Sequence, residues 1–371
     1  MTVKQIILIE PFAHFKHGHY RDKLILWLEE LKALRIEVIL VTMNDTRDFD
    51  DHTHKVHHLP NTLKAILQKL PFILSRILLI ASTYSEGIKL SKQNNIPLLG
   101  LTSRSALPIW LATLAAGMPS QPWGYHLMNP SLNGLLGKVQ KIAFKKIFQK
   151  KCQIFANLID NVETIDNLTK ISSTIYLPDP IRLYPFNTTK ETDAEKSLLI
   201  LGKDTPRRNA LAAIIEQTLP EPIKTLHLHA TGATADQLSV FKKKNPSVEI
   251  IITEGFCSPD EFASFFHKAH FCLIAYHPDF NAGSGNLANA VTHGVTVISS
   301  RTKYAEYIEQ NYPGCIHFYE YDQNKSLQKA MIRAVEQYDK NRANKKTQQL
   351  RLRNDLSSTH ITTKCLELLS Y

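Results

Sequence analysis

The feature that most constrains this sequence is an alternation of short apolar runs with longer amphipathic stretches. Gln5–Ile9 is a short apolar run, residues 20–34 place apolar side chains at helical spacing, and Glu37–Thr42 is apolar again. Short apolar runs of this kind are typical of strands buried on both faces of a parallel sheet. The opening therefore predicts a βαβ unit and an α/β fold built from doubly wound, Rossmann-like sheets.

The same alternation starts again after a change of composition near the middle of the chain. Residues 177–185 read LPDPIRLYP, and the segment 187–196 has almost no apolar side chains. Such a change marks a linker between domains. At roughly 100–200 residues per domain, the 371 residues fit two domains. We predict an N-terminal domain over 1–182 and a C-terminal domain over 183–339.

Composition excludes several other classes of protein. Hydrophobic residues make up 43% and charged residues 21%, and the five cysteines are scattered without a CxxC pair. These values are typical of a globular protein with reduced thiols, as in the cytosol. The most apolar stretch, 72–81, contains Arg76 and is shorter than the about 20 residues that a spanning helix needs. We expect a cytoplasmic protein without a signal peptide, at most peripheral to a membrane.

The loop after the first apolar run contains a glycine just before a helical pattern. Gly18 lies in the sequence His17-Gly18-His19-Tyr20. Ligands of open α/β sheets bind at the carboxyl ends of strands, against helix N-termini. Gly18 is therefore a candidate ligand contact, and an ordinary turn glycine is the alternative.

A basic turn follows the first strand predicted in the C-terminal domain. Residues 202–209 read GKDTPRRN and contain the cations Lys203, Arg207 and Arg208. Cations at a strand end, beside a helix start, suit a diphosphate through charge-assisted hydrogen bonds. A solvated basic turn is the alternative interpretation.

Small residues open a later helix of the same domain. Residues 281–289 read NAGSGNLAN, and Gly294 is expected to end the helix before another strand. The first amides of such a helix have no partner within it and form a ready anion site. Together with the basic turn, this segment predicts a phosphate-binding site.

An ordered series of motifs resembles a known family. It consists of HGHYRDKLILWLEELKALRIEVILVT at 17–42, WGYH at 123–126, LPDP at 177–180 and GKDTPRRN at 202–209. The series is similar to glycosyltransferases of the GT-B fold, and most similar to the retaining family four. The resemblance implies two Rossmann-like domains that face a cleft, with a C-terminal helix at 340–371 that returns to the N-terminal domain.

The resemblance also assigns roles to individual residues. His126 stands at the active-site histidine, and Lys203 and Arg208 stand where an arginine and a lysine bind the donor diphosphate. The implied catalytic residues are His126, Lys203, Arg208 and Asn281. The implied donor-binding residues are Gly18, Lys203, Arg208, Gly283, Ser284, Gly285, Asn286 and Asn289.

The chain departs from the family at two carboxylates. The family has two glutamates separated by seven residues, and those positions hold Asn281 and Asn289. Asparagine still bonds hydroxyl groups, but it brings no negative charge to an oxocarbenium-like transition state. Asp279 lies two positions earlier and could supply a carboxylate if the loop shifts.

The implied activity is transfer of a sugar, of hexosyltransferase type, from a nucleotide sugar to a glycan, a lipid-linked molecule or another acceptor. The resemblance implies retained stereochemistry, no metal and no cofactor besides the donor as co-substrate. The alternatives are a non-catalytic binding protein of the same fold and a sugar-nucleotide epimerase. Basic residues interleaved with stacking aromatics are lacking, so we expect no nucleic-acid partner.

The net charge of +10 comes from two segments. Residues 138–151 and 340–353 carry six basic residues each and no acidic ones, and outside them 32 basic residues face 34 acidic ones. Segment 138–151 predicts a basic amphipathic helix that contacts an anionic membrane surface through Lys138, Lys141, Lys145 and Lys146. A helix that packs its apolar side on the domain is the alternative.

Four histidines near residue 55 form a candidate metal cluster. His52, His54, His57 and His58 lie in a polar segment before Pro60. Because no further ligand can be placed beside them, we predict a solvated loop rather than a metal site.

Overall fold

The computed structural model describes residues 3–13, 19–44, 49, 55–103, 105–127, 134–148, 153–156, 174–184, 195–255, 257–280, 283–340 and 342–370. The chain divides into two compact units: unit 1 comprises Met1–Arg182 with Leu356–Tyr371, and unit 2 comprises Leu183–Asp355. In the described residues, each unit contains one sheet, and its strand pairs are all parallel. The predicted α/β fold with two Rossmann-like domains is therefore confirmed.

The strands of the described residues are β1 (Gln5–Ile9), β2 (Glu37–Thr42), β3 (Lys55–His58), β4 (Leu98–Ser103), β5 (Trp123–Leu127), β6 (Gln153–Ala156), β7 (Thr174–Tyr176), β8 (Lys196–Leu201), β9 (Ile223–His229), β10 (Glu249–Thr253), β11 (Phe271–Ile274), β12 (Thr296–Ser300) and β13 (Ile316–Tyr319). Unit 1 has the strand order β3-β2-β1-β4-β5-β6-β7, and unit 2 has the order β10-β9-β8-β11-β12-β13. In each sheet, the second and third strands of the unit lie on one side of its first strand (β1 or β8), and the later strands lie on the other side. Doubly wound sheets form their ligand crevice at this change of side.

The helices of the described residues are α1 (His19–Ala33), α2 (Asn61–Leu67), α3 (Phe72–Asn94), α4 (Ala106–Ala116), α5 (Gly134–Phe148), α6 (Ala210–Ile215), α7 (Ala235–Lys244), α8 (Pro259–Lys268), α9 (Gly285–Thr292), α10 (Lys303–Asn311), α11 (Asn324–Gln337), α12 (Arg342–Asp355) and α13 (Ser358–Leu369). α1 to α5 and α13 belong to unit 1, and α6 to α12 belong to unit 2.

Strand β1 is buried on both faces, as its apolar run predicts. Ile7 and Ile9 pack in one core cluster, which includes residues of α3, α4 and α5. Ile6 and Leu8 pack in a second cluster, with residues of α1 and α13. Because successive side chains of a strand point to opposite faces, helices cover the sheet of unit 1 on both sides.

The end of α9 also follows the predicted pattern. Gly294 has a positive φ of 80°, a conformation in which glycine avoids the strain of a side chain. The Val295 amide donates to the Ala290 carbonyl over 2.9 Å, which closes the helix before β12 begins. The prediction that Gly294 ends this helix is confirmed.

The C-terminal segment returns to unit 1 later than the predicted residue 340. α12 belongs to unit 2, where Lys345 Nζ donates to Thr296 Oγ1 over 2.8 Å and Gln349 donates to the Val295 carbonyl over 3.3 Å. Only α13 joins unit 1, with Ile361 and Leu366 in its core. α12 stays with the unit 2 sheet because its buried polar side chains form hydrogen bonds with β12 and the residue before it.

β3 and β13 are edge strands of the two sheets. β3 pairs with β2 at the edge of the unit 1 sheet, so His57 and His58 lie in a strand and the loop interpretation is wrong for them. His52 and His54 lie outside the described residues. β13 pairs with β12 at the edge of the other sheet. β3 has the sequence KVHH, with a single aliphatic side chain, so it carries little apolar signal.

Candidate functional site in unit 2

The basic turn after β8 is a tight hairpin that is closed by its own arginine. Thr205 and Arg208 exchange backbone hydrogen bonds of 2.7 and 2.9 Å. The Arg208 guanidinium folds back, and its Nε donates to the Lys203 carbonyl over 2.9 Å. Gly202 lies beneath it with a φ of 75°, and a Cβ there would lie 2.8 Å from Arg208 Nη2. The glycine is therefore required by both its backbone angle and the close guanidinium.

Lys203 is exposed and lies along the neighbouring loop. A Cβ on Gly232, which follows β9 with a φ of 66°, would lie 3.2 Å from Lys203 Cε. The bare glycine backbone thus leaves room for the alkyl chain of the lysine. The result is a cation held at the carboxyl edge of the sheet and accessible to solvent.

Asp204 binds the start of α6, the helix that follows the basic turn. Its two carboxylate oxygens accept hydrogen bonds from the Leu211 and Ala212 amides of α6, over 3.1 and 2.8 Å. A carboxylate is a strong partner for helix N-terminal amides. The Leu211 and Ala212 amides are therefore satisfied by this carboxylate, and the cations of the turn remain as the candidate anion contacts.

The N-terminus of α9 is the second part of the candidate site. Ser284 caps it by accepting from the Leu287 amide over 3.1 Å, and its Oγ donates to Tyr276 Oη over 3.2 Å. Gly283 and Gly285 are exposed, and a Cβ on Gly285 would meet nothing within 4 Å. This helix start is open towards solvent, as the sequence of small residues predicts.

Tyr276 joins the basic turn to α9. Its backbone forms a β-bridge with Arg208, and its hydroxyl accepts the hydrogen bond from Ser284. The Tyr276 ring stacks on Phe280, with the ring centroids 4.2 Å apart. Tyr276 thus ties both anion-binding candidates of unit 2 into one framework, and sequence reasoning did not single it out.

The asparagine positions of the resemblance are only partly described. Asn289 Nδ2 donates to the Gly285 carbonyl over 2.8 Å, and Asn286 is half-buried on the same helix. Asn281 lies outside the described residues. Asp279 is 90% exposed, with its carboxylate 3.5 Å from His277 Nδ1. Asp279 therefore lies at the surface, where its backbone amide donates to His277 Nδ1 over 3.2 Å.

Two buried polar side chains lie at the carboxyl end of β9, at the same edge of the unit 2 sheet as the basic turn. His229 is 7% exposed and Thr231 is 3% exposed. The ring of His229 stacks on Phe265, and its Nε2 lies 3.5 Å from Cys257 Sγ. Within the described residues, His229 Nδ1 and Thr231 Oγ1 have no hydrogen-bond partner. Burial lowers the pKa of His229, an effect that Glu254 partly opposes.

In unit 1, His126 lies at the end of β5, where the sequence places it, but it is buried. It is 2% exposed, and its Nε2 lies 2.5 Å from the Leu177 carbonyl. Its Nδ1 contacts Lys23 Nζ. An ammonium can only donate, so Nδ1 accepts and the Nε2–H donates. Asp179 completes this buried group, 2.7 Å from Lys23 Nζ and 3.2 Å from His126 Nδ1.

The other predicted residues of unit 1 are Gly18 and the lysines of the basic helix. Gly18 lies outside the described residues. The predicted basic helix is α5, which buries Ala143, Phe144 and Ile147 in the core. Lys138, Lys145 and Lys146 are exposed and Lys141 is half-buried. The apolar side of α5 therefore packs on the domain, and its lysines lie on the outer side.

No group of three His, Cys, Asp or Glu side chains in the described part of the chain is placed to hold a metal ion. Among the same residues, no helix combines the length and apolar character that crossing a membrane requires.

Solved structures of other proteins have the same fold. A glycosyltransferase from Rickettsia africae ESF-5 is 14% identical with a TM-score of 0.67, over 99% of this chain and 97% of its own. Sucrose-phosphate synthase from Thermosynechococcus elongatus is 14% identical with a TM-score of 0.64, over 98% of both chains. Anabaena HepE in complex with UDP-glucose is 11% identical with a TM-score of 0.61, over 99% of both.

Sequence comparisons add no closer relative. No protein-family model matches the chain, and no curated protein matches it. At the identities given above, the likeness to the solved structures concerns the fold. Two parallel, doubly wound sheets, matched over nearly the whole length, give this chain the two-domain GT-B architecture of these glycosyltransferases.

Proposed function

We propose that this protein is a glycosyltransferase of hexosyltransferase type that moves a sugar from a nucleotide-sugar donor to a glycan, a lipid-linked molecule or another acceptor. The observation that carries the proposal is the exposed Lys203 at the carboxyl edge of the unit 2 sheet, joined through Tyr276 to the open start of α9. A cation and free amides on one framework suit a diphosphate. The UDP-glucose in HepE supports a nucleotide sugar as the donor.

The proposed chemistry is stabilisation of the leaving diphosphate. Lys203 donates to phosphate oxygens as negative charge develops there, which lowers the barrier to departure. Arg208 has five N–H groups, and those not engaged by the Lys203 carbonyl are available to the same phosphates. Charge stabilisation by these two cations is the reason for proposing a metal-independent reaction. Retention of configuration is carried over from the resemblance alone.

The other assignments follow the same resemblance. Gly18, Gly283, Ser284, Gly285, Asn286 and Asn289 are proposed to bind the donor, and Asn281 to orient its sugar. The catalytic role proposed for His126 requires the ring to exchange Lys23 or the Leu177 carbonyl for substrate, because both ring nitrogens are engaged.

The test begins with a thermal-shift panel of nucleotides and nucleotide sugars, because a ligand of the folded state raises the melting temperature. The donor so identified is then given to a Lys203→Ala, Arg208→Ala variant. We expect loss of turnover and of the thermal shift while the protein stays folded. Lys203→Ala alone keeps the backbone carbonyl that accepts from Arg208, so we expect this variant to keep the loop structure and to lose affinity for the donor. A matched control replaces Lys243 and Lys325, two exposed cations of unit 2, by alanine. Unchanged transfer by the double variant would contradict the assignment.

A non-catalytic binding protein is the second candidate. It is favoured by the asparagines at 281 and 289, where the family has glutamates, and by the bond that ties Asn289 to its own helix. A specific nucleotide-sugar shift with no transfer to any acceptor would support binding without catalysis. Hydrolysis of the donor by the wild-type protein would support the enzyme.

We also propose that the protein works in the cytoplasm and attaches to an anionic membrane surface through Lys138, Lys141, Lys145 and Lys146. The exposed side of α5 supports this, because the helix presents these cations while its apolar side is used in the core. Binding to anionic vesicles that is lost on changing the four lysines to glutamine is the expected result. Equal recovery with neutral vesicles would contradict it.

A further inference from the structure

The turn between α2 and α3 exposes a group of large apolar side chains in unit 1. We call this group the apolar tip; its members are Ile66, Leu70, Phe72, Ile73 and Leu74, which are 62%, 36%, 77%, 70% and 45% exposed. Single exposed apolar residues are ordinary on protein surfaces, but neighbouring ones mark an interaction site. The apolar tip is therefore a candidate docking surface.

The local structure explains why these side chains find no core. Phe72, Ile73 and Leu74 are consecutive residues of the first turn of α3. Successive helical residues point about 100° apart, so one face of the helix cannot bury all three. α2, which precedes them, has no buried residue. Pro71, at the N-cap of α3, offers no side-chain cap. The turn thus projects an apolar end, followed by uncapped helix amides.

The base of the apolar tip lies at the carboxyl edge of the unit 1 sheet. Leu67 and Leu79, on either side of the turn, pack in a small cluster with Phe12 and Met43, which follow β1 and β2. The Arg76 guanidinium lies 5.1 Å above the Phe12 ring. Because open α/β sheets bind ligands at this edge, a surface that docks on the tip also lies near the ligand edge of unit 1.

The charges of the segment that carries the apolar tip have one sign. Residues 52–85 contain no Asp or Glu. The cations Lys64, Lys69 and Arg76 flank the tip, and Lys69 and Arg76 are exposed. An apolar end ringed by cations matches a surface of apolar chains covered by anionic head groups. A second copy of the chain fits less well, because a two-fold contact through the tip would bring like cations together.

We propose that the apolar tip inserts into an anionic lipid bilayer, with Lys64, Lys69 and Arg76 at the level of the head groups. This surface is separate from the lysines of α5 and rests on a different observation. It deepens the proposed function, on which its link to an acceptor rests: docking here places the ligand edge of unit 1 at a bilayer, so the acceptor class is one carried by lipid.

The first experiment measures flotation with vesicles of phosphatidylcholine, alone or mixed with phosphatidylglycerol. We expect the wild-type protein to float with the mixed vesicles. Phe72→Ser with Ile73→Ser should reduce partitioning about tenfold or more, because each buried aliphatic or aromatic side chain contributes strongly to insertion. Lys64→Gln with Lys69→Gln should reduce it several-fold and weaken the preference for phosphatidylglycerol. A matched control changes Ile332 and Leu350, exposed aliphatic residues of unit 2 helices, to serine.

A second measurement reports insertion directly. In a Phe72→Trp variant, we expect the tryptophan emission to shift to the blue on addition of the mixed vesicles and to stay unchanged with phosphatidylcholine alone. The tip residues are exposed, so melting temperatures close to that of the wild type should confirm that each variant is folded.

Three outcomes would overturn the proposal. The first is no flotation of the wild-type protein, and the second is undiminished flotation of the serine variant. The third is a concentration-dependent dimer that the serine variant converts to a monomer, which would assign the tip to a second copy. The nucleotide-sugar thermal shift is measured on the same proteins without vesicles. If no nucleotide sugar raises the melting temperature while flotation is intact, the proposed function is rejected and the docking surface is retained.

Discussion

The charged residues at the carboxyl edges of the two sheets differ in their exposure to solvent. In unit 1, Lys23, His126 and Asp179 form a buried group in which the cation and the ring are satisfied by neighbours. In unit 2, Lys203 is exposed and the start of α9 is open. Both edges carry residues that the family resemblance marks as functional, but only the second presents them to solvent. The difference indicates that His126 contributes to the structure of its own unit, whereas Lys203 is accessible to solvent.

The largest effect is expected from breaking the buried group of unit 1. Lys23→Met removes the cation and leaves Asp179 and His126 without it. Removing one partner of a buried ion pair costs about 3–5 kcal/mol in the free energy of unfolding. Urea-induced unfolding measures this loss. Lys32→Met, an exposed lysine of the same helix, is the control and should change little. Equal stability of the two variants would show that the group is not structural.

A smaller effect is expected where unit 2 uses a carboxylate to shape its turn. Asp204→Ala removes the acceptor of two α6 amides, and loss of a side-chain acceptor at a helix start costs about 0.5–2 kcal/mol. Because Asp204 orders the turn that carries Lys203, the affinity for the nucleotide-sugar donor should fall as well. Isothermal calorimetry and thermal unfolding measure both effects. Asp236→Ala, an exposed acid in the first turn of α7, is the control. Full donor affinity in Asp204→Ala would separate the cap from the site.

Another buried lysine, Lys345, sharpens the comparison, because no carboxylate of the described residues pairs with it as Asp179 pairs with Lys23. Lys345 is 8% exposed and bonds Thr296 Oγ1, and burial lowers its pKa to about 8. The folded pKa lies below the unfolded one, so above pH 8 the unfolded chain binds more protons and stability rises with pH.

Lys345→Met should remove this rise. Between pH 7.5 and 9 the wild type should gain about 1 kcal/mol more in the free energy of unfolding than the variant. The difference between the two proteins isolates Lys345, because cysteine and tyrosine titrations at higher pH are common to both. Parallel pH profiles of the two proteins would reject the assigned pKa.

The smallest effect is expected from an exposed ion pair in unit 1. Arg182 Nη2 lies 3.3 Å from Glu29 Oε1, and the two side chains are 42% and 44% exposed. Exposed pairs of this kind contribute about 0–1 kcal/mol. Arg182→Ala should therefore shift the urea midpoint far less than Lys23→Met does. A loss as large as that of Lys23→Met would mean that burial is not what separates the two pairs.

Part of the structure could be predicted because its signals are local. The apolar runs of β1 and β2 predicted those strands with the bounds that the structure has. Gly294 predicted the end of α9 because its positive φ is a local requirement. β3 was missed because an edge strand such as KVHH is stabilised by pairing with β2 and carries no apolar pattern of its own.

The candidate site divides in the same way. The sequence by itself determined the fold class, the basic turn and the open helix start, because periodicity, glycines and charges act within a few residues. Only the tertiary structure decided that Asp204 occupies the start of α6, that His126 is buried against Lys23, and that α12 stays with unit 2. These outcomes depend on which side chains meet across distant segments, and desolvation and hydrogen bonding between them set the result.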